Sequence, residues 1–288
     1  MKIFSKSKGI LFFYAFDILL LIIFAVSFIP FAKNRRVVVN SAALNPKYIS
    51  DISKIVIEIP EMEKVNTVTL NKSGSIWTGF DSKTNTVWPC DETSVNNLLA
   101  LVSKTVKMYK KSDKKESWET LGVDESNARK ISFITKDGNI VSALYYGVED
   151  GILKRISVRS REQTIVYDTE NSVATYLTSE ASFWADPFIY PEALTDLSRA
   201  QSQEFLRRGQ IIKFEPETDR KPDYVYTKIF ENEADITLSF FNNGNNTYSV
   251  LTKMNPSPFV KEEEEYALSK INYSFSVSSW TFDKLLEN

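Results

Sequence analysis

Residues 10–32 form a near-continuous apolar run, interrupted by one charge, Asp17, and one late proline, Pro30. Lys2, Lys6 and Lys8 precede it, and Lys33, Arg35 and Arg36 follow. A hydrocarbon core about 30 Å thick needs roughly 20 helical residues at about 1.5 Å each, so the run predicts an uncleaved transmembrane helix after a short tail, 1–9. A signal-peptide reading competes, with Ala25-Val26-Ser27 as the cleavage site, but the apolar stretch continues past it through Phe28, Ile29 and Phe31. The flanking charges nearly balance, and the habit of short N-terminal tails puts the tail inside and the body outside. Asp17 within such a span costs about 2.5–3.5 kcal/mol, which suggests a polar contact with another membrane helix. It also reads as a tolerated acid carried by its Leu and Ile neighbours.

After a linker at 33–50, the period changes. Ile55, Ile57 and Ile59 alternate with Lys54, Val56 and Glu58, a strand half-buried on one face. Val65 to Leu70 predicts a second strand, Asn71-Lys72-Ser73-Gly74 a turn, and Ser75-Ile76-Trp77 the opening of a third. Asp91 predicts the N-cap of a helix from about Glu92 to Tyr109, because Val95, Leu98, Leu99, Val102 and Val106 share one face. Further strands are predicted over 130–135, 140–146, 153–158 and 164–167, with Asp137-Gly138-Asn139 turning between the first two. Short helices are predicted after Asp168 or Thr169, over 181–188, and over 192–208 with Leu194, Leu197 and Phe205 inward.

A second block echoes the first. Ile211 to Glu217 repeats the Ile55 to Glu61 pattern, and Ile236 to Leu251 repeats a hairpin. Tyr273 to Val277 then leads into a helix, as the strand at Ile165 does. These elements predict an α+β fold, with antiparallel hairpins covered on one face by helices, in two related modules near 51–190 and 191–288.

With 288 residues, 43% apolar, and 19 Phe and 13 Tyr, the chain has ample material for a packed core. A net charge of −2 argues against nucleic acid as a partner. The absence of histidine removes Ser-His-Asp and Cys-His catalysis and histidine metal sites, and a single cysteine, Cys90, removes any intramolecular disulfide. No phosphate loop, dinucleotide fingerprint or metal motif is present, so no cofactor and no catalytic residue is assigned.

Weaker candidates remain. Lys107, Lys110, Lys111, Lys114 and Lys115 form a basic cluster that suits an acidic partner or anionic lipid, or a solvated helix end. Glu262 to Glu265 read as a solvated, mobile loop. Asp113, Glu116, Glu119, Asp124 and Glu125 supply carboxylates for a hydrolase only if two of them meet in a cleft. Cys90 reads as a partly buried filler, and Trp88, Trp184 and Trp280 as core aromatics or a ligand platform.

Several short pieces occur in an order that resembles the domain of unknown function 4340 family. They are Gly74-Ser75-Ile76-Trp77, Trp88-Pro89-Cys90-Asp91, Leu121-Gly122-Val123-Asp124, Ile131 to Phe133, Tyr146-Gly147, Ser157-Val158-Arg159 and Val166-Tyr167-Asp168. The resemblance covers roughly residues 10–190 and departs at Cys90, where the family has a small alanine. It implies a single-pass protein of the bacterial inner membrane with a periplasmic body. It further implies a non-enzymatic accessory component of an ABC-type export or gliding-motility-like complex, with a permease or another membrane protein as partner. The alternatives are an envelope glycan- or peptide-binding module and a carboxylate-based hydrolase.

Overall fold

Strand alternation, not helix periodicity, dominates the chain. The computed structural model describes residues 14, 16–24, 26, 37–62, 64–195, 211–212, 220–230, 235–255 and 260–287. The chain divides into two units, Met1–Val39 and Asn40–Asn288.

The larger of two antiparallel sheets has ten strands. They are β1 (Val38–Ser41), β2 (Ile52–Glu61), β3 (Lys64–Ser73), β4 (Ile76–Asp81), β5 (Thr86–Pro89), β6 (Val106–Ser112), β7 (Arg129–Thr135), β8 (Ile140–Asp150), β9 (Arg155–Ser160) and β10 (Val166–Glu170), in the order β1-β6-β10-β9-β8-β7-β2-β3-β4-β5. The smaller sheet has five: β11 (Ile211–Ile212), β12 (Tyr224–Ile229), β13 (Asp235–Asn242), β14 (Thr247–Asn255) and β15 (Ser274–Ser278). The helices are α1 (Glu92–Ser103), the single turns α2 (Ala181–Trp184) and α3 (Glu192–Thr195), then α4 (Glu262–Ser269) and α5 (Ser279–Glu287).

Ile55 and Ile57 of β2, Val68 and Leu70 of β3, and Ile131 and Phe133 of β7 point to one face of the large sheet and are fully buried. Val95, Leu98, Leu99 and Val102 of α1 belong to the same core. That core continues without a break into Ile236, Leu238 and Phe240 of β13. A smaller cluster of Val123, Ala128, Tyr145 and Val166, with Trp118 and Leu121 against it, is separate from this core. Segment 113–128 crosses near β8, where Gly147 admits it: a Cβ there would overlap the Leu121 carbonyl.

The corrections fall into three groups, the first being elements of the fold. The α+β fold does not hold, because the structure is mostly β with few helices. The predicted helix to Tyr109 stops at Ser103, and Val106 to Ser112 is β6, because that segment pairs with β10. Asp168 does not cap a helix but lies within β10, and residues 171–176 form only a 3-10 turn. Second, the predicted span at 10–32 is not found. Its described residues are Tyr14, Phe16 to Phe24 and Val26, which are helical and exposed. Among the described residues no helix is long and apolar enough to cross a membrane. The transmembrane anchor and the inner-membrane placement built on it are corrected by that finding. Third, Glu262 to Glu265 are the first turn of α4, and Glu264 is 8% exposed. Of the helix predicted over 192–208, residues 192–195 are helical and the remainder lies outside the described residues.

Candidate functional site

Antiparallel register sets side chains side by side across a sheet face. On the large sheet Glu58 faces Lys130, Lys130 faces Tyr145, and Tyr145 faces Arg159. This row runs across β2, β7, β8 and β9 on the face opposite Ile57, Ile131 and Leu144. Lys130 Nζ lies 2.7 Å from Glu58 Oε2. The Arg159 guanidinium is stacked between two rings, 3.8 Å from the Trp118 centroid and 4.1 Å from that of Tyr145. Such stacking on desolvated cations contributes about 2 kcal/mol.

Arg159 is 2% exposed. Its Nε donates to the Val123 carbonyl at 3.1 Å, and its Nη2 has no partner. Burial pulls the guanidinium below its usual value, while Tyr145, Glu125 and Asp124 push it back. Trp118 is held in turn by Nε1 donating to the Thr164 carbonyl at 3.1 Å.

The next row on the same face is Val56, Ser132, Ala143 and Arg161. The two rows line a cleft of about 370 Å3, with Glu125 and Ala128 from the crossing segment on one side and Pro60, Val65 and Ile140 at its margins. Ser132 is 4% exposed, and its hydroxyl has no hydrogen-bond partner among the described residues.

A second cleft, of about 220 Å3, is acidic. Asp91, Glu92, Asp186 and Glu192 line it beside Cys90, Thr93 and Asn96. Two of these acids are occupied. Asp91 caps α1, accepting from the Thr93 amide at 3.1 Å and the Ser94 hydroxyl at 3.0 Å. Asp186 accepts from the Phe188 and Glu192 amides at 2.8 and 3.2 Å. Burial pushes the Glu92 carboxyl up, Lys72 opposes this, and Glu192, Asp186 and Asp91 add to the rise. Among the described residues, no group of three or more His, Cys, Asp or Glu is placed to hold a metal ion.

The five lysines of the expected basic cluster are dispersed. Strand alternation puts Lys107 and Lys111 on one side of β6 and Lys110 on the other. Lys111 donates to Asp168 at 3.0 Å and Ser157 at 3.1 Å, Lys110 pairs with Asp113 at 2.7 Å, and Lys115 lies over Trp118. Of the acids proposed for hydrolysis, only Glu125 lines the sheet-face cleft. Trp88 and Trp184 are fully buried, with Trp88 Nε1 unpartnered and Trp184 Nε1 donating to the Thr178 carbonyl at 2.9 Å, whereas Trp280 is 59% exposed. Cys90 is 1% exposed. Sequence reading missed Arg159 as the centre of the site. The available signal was an arginine in an alternating strand, on the face opposite Val158.

Compared with known proteins, the chain matches no family model, no curated protein and no solved structure. The likeness to the domain of unknown function 4340 family therefore rests on the short motifs alone.

Proposed function

We propose that this protein is a non-enzymatic accessory component of an ABC-type export or gliding-motility-like complex, and that the partly uncovered face of its large sheet receives a polypeptide partner. The transport assignment is supported only by the resemblance of motifs. The docking assignment is supported by the row Glu58, Lys130, Tyr145 and Arg159, which gives that face charge, an aromatic floor and fixed geometry. Exposed stacked rings, the usual platform for a glycan, are not what this cleft offers: Tyr145 is 5% exposed. That favours a peptide over a sugar. The hydrolase reading would sit at the acidic cleft, where Glu92 and Glu192 are the acids left after Asp91 and Asp186 are occupied.

The test is photocrosslinking in cells from Thr67, which faces Glu58 on β3, with Tyr266, 63% exposed on α4, as the control position. Crosslinks from Thr67 to a permease or ATPase subunit are expected. Equal yields from both positions, or none from Thr67, would overturn the proposal.

A further inference from the structure

Within the second row of the uncovered face, a small residue stands between larger ones. Ala143 is flanked across the strands by Ser132 on β7 and Arg161 after β9, and along its own strand by Tyr145. Strands are about 4.8 Å apart, so Ser132 and Arg161 stand roughly 10 Å apart with a methyl group between them. Ala143 is 2% exposed, so the methyl forms the floor of a hollow in the 370 Å3 cleft.

The walls of this hollow are donors. Ser132 is 4% exposed and borders the cleft, and its hydroxyl has no protein partner among the described residues, so it can donate into the cleft. Arg161 presents an exposed guanidinium on the opposite wall, and among the described residues it forms no ion pair. Lys130 is already tied to Glu58. Two cations, Lys130 and Arg161, and two acids, Glu58 and Glu125, line the cleft, and the buried Arg159 of the adjacent row adds a third positive charge, so the local field favours an anion.

We propose that the hollow over Ala143 binds the carboxylate of an acidic side chain carried by a polypeptide, with Arg161 and Ser132 donating to it and Tyr145 and Ile140 against its methylene stem. A guanidinium offers a carboxylate two parallel donors, and the serine fixes the second oxygen. This specificity rests on the reading of the sheet face as a peptide-docking surface.

The test is calorimetric titration of the full chain with acetyl-Gly-Glu-Gly-amide, its Gln analogue and glutarate. The Glu peptide should bind, and the Gln peptide should bind about tenfold more weakly or not at all. Arg161→Gln should weaken the Glu peptide about tenfold and Ser132→Ala about threefold, while Lys136→Gln leaves it unchanged. Ala143→Leu should fill the hollow and abolish binding; if that variant fails to fold, Arg161→Gln, an exposed change, still decides. Equal binding of the Glu and Gln peptides, indifference to Arg161→Gln, or no binding of the Glu peptide at about 10 mM overturns the proposal. Glutarate binding as tightly as the peptide overturns the polypeptide source. Crosslinks from Thr67 without carboxylate preference sink this inference alone, whereas failure of both experiments removes the docking surface itself.

Discussion

Removing the carboxylate of Glu264 should loosen the join between α4 and the large sheet. Its Oε1 accepts from the Ser75 amide at 2.8 Å and the Ser75 hydroxyl at 2.9 Å, across 189 positions of sequence. It lies against Gly74, whose φ of +60° and missing Cβ let the carboxylate approach the turn. Hydrogen bonds to charged groups contribute about 1.5–3 kcal/mol each, and two bonds sharing one oxygen contribute less than twice that. Glu264→Gln keeps an acceptor and loses the charge, for an expected cost of about 1–2 kcal/mol. Glu264→Ala removes both bonds and should cost about 2–4 kcal/mol. The assay is denaturant unfolding, read as a lower midpoint at unchanged slope. The pH dependence has a definite sign. The Ser75 amide holds the Glu264 carboxyl below its ordinary value, against burial and with help from the Ser75 hydroxyl and Lys261. A depressed acid stabilises fully above the ordinary carboxylate range and loses that contribution as pH falls through its lowered folded value. The gap between wild type and Glu264→Gln should therefore narrow toward acid. A gap that stays constant down to strong acid, or a Glu264→Ala cost under about 0.5 kcal/mol, would refute the reasoning.

Gly147→Ala should be severe, because the new Cβ would overlap backbone atoms of Leu121 and Gly122 that no rotamer change can move. A loss of about 3 kcal/mol or more in thermal or denaturant unfolding is expected, and a cost under about 1 kcal/mol would mean that segment 113–128 is not fixed there. Cys90, 1% exposed, should resist a thiol reagent in buffer and react fully in denaturant; rapid labelling of the folded chain would contradict its burial.

Local signals were legible and distant ones were not. Asp91 as a cap, Gly74 and Gly138 at positive φ, and the inward Val95 and Leu98 all follow from spacing of a few residues. The same spacing extended α1 through Val106, because a β-branched residue in phase with a helix does not reveal a waiting strand partner. β10 supplied that partner some 57 positions later, where Asp168 meets Lys111. The acidic run at 262–265 looked solvated because its counterpart, the Ser75 amide, carries no sequence signal at all. Arg159 could be placed on an outward face by alternation, but Trp118, which covers it, comes from a segment whose path depends on Gly147. The apolar run at 10–32 had length in sequence, whereas among the described residues no helix is long and apolar enough to cross a membrane.

Asn272 terminates the hydrogen-bonding ladder of β5. Its side chain accepts from the Val87 amide at 2.7 Å and donates to the Asn85 carbonyl at 3.3 Å, while its own amide donates to the Val87 carbonyl at 3.2 Å. β5 forms one rim of the ten-stranded sheet, and bare rims recruit other chains. During translation that rim waits, sticky, until Asn272, 185 positions beyond Val87, has left the ribosome. Nascent chains stalled before this asparagine should consequently clump or call on a chaperone, and its arrival is what makes the newborn sheet safe among its siblings.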